Sequence, residues 1–98
     1  MKKVFISLPM ANKSEEEIKE ELNKRKTALE QLNFEVVDTY IENSPNVENI
    51  PLWCLGKSLA IMANCDIAYF CRGWQKARGC LIEYEAAVQY GLQVITED

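Results

Sequence analysis

Two apolar runs, Val4-Phe5-Ile6 and Ile67-Ala68-Tyr69-Phe70-Cys71, show no alternation of apolar with polar residues. Successive side chains of a strand point to opposite faces, so a strand wetted on one side alternates. An unbroken run belongs to a strand covered on both sides. Covered strands need helices above and below them, and helical patterns do lie between the runs. The chain reads β-α-β-α-β-α-β, with strands over Lys3 to Leu8, Phe34 to Asp38, Asp66 to Cys71 and Leu92 to Ile95. Right-handed crossovers make such a sheet parallel.

The elements between the strands carry their own signals. Ser14 with Glu17 is a capping box that opens a helix whose apolar stripe is Ile18, Leu22, Leu29 and Leu32, and Asn33 reads as its stop. Pro51 opens a second helix running to about Asn64. Leu52, Leu55, Leu59, Ile61 and Met62 make it apolar around much of its circumference, which predicts a subunit interface on part of it and hence a homo-oligomer. Trp53 belongs to that interface or to a pocket wall. A third helix from Cys80 to Gly91 places Cys80, Tyr84, Ala87, Val88 and Gly91 on its buried face, with Glu83 at the border in the first turn. The whole is expected to be one α/β domain over residues 1–98: a three-layer, flavodoxin- or Rossmann-like parallel sheet of four strands in the order 2-1-3-4.

Ligands of open α/β sheets bind beyond the carboxyl ends of the strands, where the strand order reverses. Here that point lies beside Leu8 to Met10 and Gly73-Trp74. The stretch from Asp66 to Gly91 therefore organises the candidate site: a buried strand, a basic loop and a helix with Glu83 near its start. Arg72, Lys76 and Arg78 make this loop positive within a chain of net charge −4, in keeping with either a solvated loop or an anion contact. The candidates are Glu83 as the reacting carboxylate, held ionised by the helix N-terminus, and Trp74 as a stacking platform. Gly73, Arg78 and Gly79 join them from the loop, Ser7, Pro9 and Met10 from the first strand and its turn, and Asp38 with Tyr40 from the second strand end. An acid in a first helical turn also simply stabilises the helix. The polar residues from 41 to 50 have the length of a lid or binding loop.

Other functions are disfavoured. The acidic balance argues against a nucleic-acid polymer as partner. Met1 to Ile6 is too brief for a signal-peptide core and no long apolar segment follows, so a cytoplasmic protein with no membrane partner is expected. Four cysteines without C-x-x-C spacing, and no histidine, disfavour zinc and leave Cys80 without a base to make it a nucleophile. Glu15, Glu16 and Glu17 crowd the first helix N-terminus, and neither G-x-G-x-x-G nor a Walker pattern is present, so no dinucleotide, ATP or other cofactor is expected.

Gly79-Cys80-Leu81-Ile82-Glu83, followed by Ala86, Ala87 and Gly91 and preceded by Asp66-Ile67-Ala68, resembles the nucleoside 2-deoxyribosyltransferase-like superfamily. The nearer likeness, through Leu55-Gly56-Lys57-Ser58 and Gly73-Trp74 to Glu83-Tyr84, is to a small, functionally uncharacterised branch found in bacteria and phages. The resemblance implies that Glu83 attacks the anomeric carbon of a deoxynucleoside or its monophosphate, with Trp74 on the base and Arg72 and Arg78 on a 5′-phosphate. It implies a small-molecule nucleoside or nucleotide as partner. Ser58 stands where active members of that superfamily usually carry a second acid, with Asp38 as the available substitute. A non-catalytic module that binds a nucleotide or nucleotide-derived signal is the alternative.

Overall fold

The computed structural model describes residues 1–39 and 46–97. Four strands, β1 (Lys3–Ser7), β2 (Glu35–Val36), β3 (Ile67–Phe70) and β4 (Gln93–Thr96), form one parallel sheet in the order β2-β1-β3-β4. Helices α1 (Glu15–Gln31), α2 (Ile50–Met62) and α3 (Arg78–Gln89) complete a three-layer, flavodoxin-like α/β architecture, with a 3₁₀ turn over Trp74–Lys76 ahead of α3.

Strand alternation divides the core. Val4 and Ile6 of β1, with Ile67 and Cys71 at β3, pack under Ile18 and Leu29 of α1. Phe5, Ala68 and Phe70 face the other way, onto Met62 at the end of α2 and Ala87 of α3. The two central strands, β1 and β3, thus bury both faces, which explains the unbroken apolar runs. At the carboxyl edge β1 and β3 stay in register, Ser7 opposite Phe70, and the Cys71 amide donates to the Ser7 carbonyl at 2.9 Å.

Ser14 caps α1 as a full capping box with Glu17, and Asn33 takes a left-handed φ of 68° beyond its end. Asn49 caps α2 through Leu52 N–H, with Pro51 in the first turn. No helix among the described residues is long and apolar enough to cross a membrane.

Several expectations need correction. The second strand is two residues rather than five, because β2 is an edge strand with only β1 to pair with. Leu32 is not part of the buried stripe: it is the C-cap of α1 and is largely exposed. On α3, Val88 is exposed, Gly91 lies exposed beyond the helix end, and Glu83 lies within the buried face rather than at its border. Finally, α3 starts at Arg78, not Cys80. Ala77, extended at φ −106° and ψ 118°, is its N-cap and accepts from Leu81 N–H, so Glu83 sits in the second turn. Tyr40 and most of the expected lid lie outside the described residues.

Candidate active site

Ser7 follows Phe5 by two residues on β1, so alternation turns both side chains to the α2/α3 side of the sheet. Opposite Ser7 stands Glu83, 8% exposed, and Ser7 Oγ donates to Glu83 Oε1 at 2.6 Å. Ser58 brings a second hydroxyl to the same carboxyl from α2. Burial pushes the Glu83 carboxyl above its ordinary range, and the two hydroxyls, which stabilise the ionised form, pull it partly back. Three elements therefore converge on one acid. The helix-terminus stabilisation expected for Glu83 is replaced by desolvation as the main influence, since α3 begins two residues earlier than its sequence pattern suggests.

Glu83 forms part of the wall of a cleft of about 790 Å³ between β1, α2 and the start of α3. It is the only carboxyl among the described lining residues, and Lys76 and Arg78 are the only cations. The rest of the lining is largely apolar, including Leu8, Pro9, Met10 and Leu55. This is the arrangement expected of a small-molecule site: an apolar hollow with few, convergent polar groups.

Of the residues singled out from sequence, Glu83, Ser7, Pro9, Met10, Arg78 and Gly79 line this cleft together. Gly73, Trp74 and Asp38 do not. Trp74 stacks on Tyr84 with ring centroids 4.4 Å apart and also meets Phe70 at 5.7 Å, so the aromatic face offered for stacking is already occupied inside the protein. Gly73 has a φ of 92°, and a Cβ there would lie 3.7 Å from Pro9 Cγ, so it shapes the turn behind the cleft rather than its lining. Asp38 borders a separate 250 Å³ depression beside Lys19 and Lys26 of α1, so it cannot stand in for the missing second acid. Arg72 also lies outside the cleft lining; its backbone N–H donates to Glu97 Oε1 at 2.7 Å.

No protein-family model matches the chain, and no curated protein or solved structure is significantly similar to it. The site must be read from its own chemistry.

Sequence reasoning missed Ser58 as a contact of Glu83, treating it only as the place of a lost acid. A signal was present, since Lys57 and Ser58 are the only charged or hydroxyl side chains in the α2 run IPLWCLGKSLAIM. Cys80, expected on the buried face of the third helix, is indeed buried, and it lines the cleft as well. Burial raises its thiol above the ordinary range.

The opposite face of the same sheet edge is built differently. Glu97, just after β4, accepts from Arg25 Nε at 3.0 Å and Nη2 at 3.1 Å, and from Tyr69 Oη at 2.7 Å. Arg25 above all holds this carboxyl down at about 2. Burial and the same carboxylate push Tyr69 up to about 12. Together with the Arg72 amide, this cluster ties α1, β3, the loop start and β4 into one unit.

Proposed function

We propose that the protein cleaves or transfers an N-glycosidic bond of deoxynucleosides or their 5′-monophosphates, with Glu83 as nucleophile. The observation that carries this reading is a desolvated carboxyl, with hydroxyl partners, in the wall of a cleft whose only cations among the described lining residues are Lys76 and Arg78. In an N-glycosidic displacement Glu83 Oε attacks C1′ as the C1′–N bond breaks, and the bond's electron pair leaves with the base, which takes up a proton. Water or a second base then attacks C1′, frees the carboxylate and loses its proton to solvent or to the displaced base. The transition state has oxocarbenium character, which a carboxylate without a competing ion pair stabilises. Desolvation favours this chemistry, because a carboxylate with raised basicity and few bound waters is the better nucleophile.

The start of α3 supports the monophosphate form. Ala77 provides no side-chain cap and the first turn has no acid, so its backbone N–H groups stand beside Lys76 and Arg78 at the cleft. The likeness of Gly79 to Glu83 to the nucleoside 2-deoxyribosyltransferase-like superfamily points to the same substrate class. A second reading, a binding module for a nucleotide or nucleotide-derived signal, is favoured by one observation: the described cleft lining holds no second carboxyl to protonate a leaving base.

Incubation with a panel of 2′-deoxynucleosides and their 5′-monophosphates, following release of free base, separates the two. Turnover that Arg78→Ala weakens about tenfold for monophosphates and much less for nucleosides supports the enzyme. A rise in melting temperature without consumption of the same compounds supports the binding module.

A further inference from the structure

The two edges of the sheet are not alike. At one edge β2 is only two residues long and contains Glu35, the kind of short, charged strand that discourages further pairing. At the other, β4 runs over Gln93–Thr96 in unbroken register with β3, without a charge or a proline. The direction of its main-chain groups follows from the ladder. Gln93 N–H donates to the Asp66 carbonyl at 3.1 Å and Glu97 N–H to the Phe70 carbonyl at 2.9 Å, so residues 93, 95 and 97 turn their N–H and C=O groups toward β3. Val94 and Thr96 turn theirs outward, where no strand among the described residues pairs with them. An uncharged edge, β-branched at Val94, Ile95 and Thr96, is a template for one more strand.

We propose that β4 pairs antiparallel with β4 of a second copy of this chain, about a two-fold axis through Ile95, so that two sheets become one. In an antiparallel pair the residues that exchange hydrogen bonds are those whose main-chain groups face outward on both strands. An axis at Val94 would bring Leu92 opposite the partner's Thr96, but Leu92 N–H is already given to the Ala87 carbonyl at 2.9 Å. An axis at Thr96 would set Ile95 against the partner's Glu97, an apolar side chain against an acid. With the axis at Ile95, Val94 of each strand meets Thr96 of the other, and both outward-facing residues are paired. The side chains agree with this register. Val94 packs with the α2/α3 side of the core and Ile95 with the α1 side. Half-buried Ile95 then meets its own copy on the α1 side, while Val94 meets Thr96 on the other, all of them β-branched contacts. Exposed Gln93 stands opposite the partner's Glu97, so this acid faces an amide donor rather than another acid. The contact is isologous and closes at a dimer. It is also short, and a dissociation constant on the order of 100 μM is expected. The proposal moves the subunit contact expected on α2 to the sheet edge, and it does not depend on the role of Glu83.

Sedimentation equilibrium of the full chain from about 10 μM to about 1 mM, with amide hydrogen exchange followed by NMR at both ends of that range, tests the pairing. The expected result is a monomer–dimer equilibrium in which the Val94 and Thr96 amides exchange about fourfold more slowly at the higher concentration. The Gln93, Ile95 and Glu97 amides, bonded to β3, should be protected equally at both. Thr96→Pro deletes an outward N–H and no bond to β3, so it should abolish the dimer and leave the monomer folded. Ile95→Cys should form a disulfide with its own copy on oxidation, seen by peptide mapping, because facing residues of a non-bonded antiparallel pair lie about 4.5 Å apart at Cα. Gln93→Cys, which meets Glu97 instead, should not. A monomer at about 1 mM overturns the proposal. So does a dimer whose Val94 and Thr96 exchange is independent of concentration, the outcome expected if α2 forms the contact. Protection of both amides in the monomer also overturns it, since another part of the chain would then cover the edge. If Thr96→Pro does not fold, exchange in the wild type decides alone.

Discussion

Glu83 and Glu97 stand at the same carboxyl edge of one sheet, on its two faces, and the protein shifts their protonation in opposite directions. Glu97 has a guanidinium, a phenol and a backbone amide, and its ionised form is so favoured that the carboxyl titrates at about 2. Among the described residues Glu83 has hydroxyls as its partners, and it is more deeply covered, so its ionised form is disfavoured. A protein that needed only a polar tie at the second position had the first solution available. A carboxylate buried without a cation destabilises the fold at neutral pH, and such perturbed acids cluster at functional sites. The comparison separates an acid that ties the sheet edge together from one that lies desolvated in the wall of a cleft.

The largest expected effect lies on the Glu83 side. Glu83→Gln should lower turnover by about a thousandfold or more, since the amide is not a nucleophile, while melting temperature at pH 7 is unchanged or higher. A large loss of stability in this variant would place Glu83 with Glu97 as a structural acid and erase the contrast.

Next in size is the Glu97 cluster. Glu97→Ala removes hydrogen bonds from Arg25, Tyr69 and the Arg72 amide, and should destabilise the fold by roughly 2 kcal/mol in urea titrations, discounted for partial exposure. The two acids also differ in the sign of their pH dependence. Glu97 contributes stability above the ordinary carboxyl value of 4.5 and loses it as pH falls toward about 2. Glu83, whose folded value is raised, contributes below 4.5 and loses that contribution as pH rises through its folded value. Unfolding curves of Glu97→Gln should therefore flatten between pH 2 and 4.5, and those of Glu83→Gln above pH 4.5. Similar changes in both variants over the same range would break the comparison.

The smallest effect is expected at Trp74. Its Nε1 is buried and has no hydrogen-bond partner among the described residues, and its ring is stacked on Tyr84. Trp74→Phe keeps an aromatic contact and removes the unpaired N–H, so stability should change by less than about 1 kcal/mol and ligand affinity by less than about twofold. A strong loss of affinity with stability intact would return Trp74 to the ligand.

Much of the fold could be read in the residues because its signals are local. Continuous apolar runs require two-sided cover, Ser14 with Glu17 and Asn33 bound α1, and Pro51 marks the start of α2. Where the reading missed, the cause was tertiary. The start of α3 depends on the 3₁₀ turn at Trp74–Lys76, which helical periodicity does not register. The edge position of β2 shortened a strand that its composition would have allowed to run on. Trp74 is the instructive site residue: an exposed-looking loop aromatic after a glycine is equally suited to a ligand or to Tyr84, and only packing selects between them.

The sequence by itself determined the order of elements and the parallel sheet, because periodicity and turn chemistry act over a few residues, and it singled out Glu83 as the candidate acid. Only the tertiary structure decided what surrounds that carboxyl. Ser7, Ser58 and Cys80 come from three separate elements, 76 residues separate Ser7 from Glu83, and their convergence depends on how α2 and α3 settle against the sheet. Desolvation, and with it the raised pKa of the acid, is a property of that packing and is not carried by any single stretch of the chain.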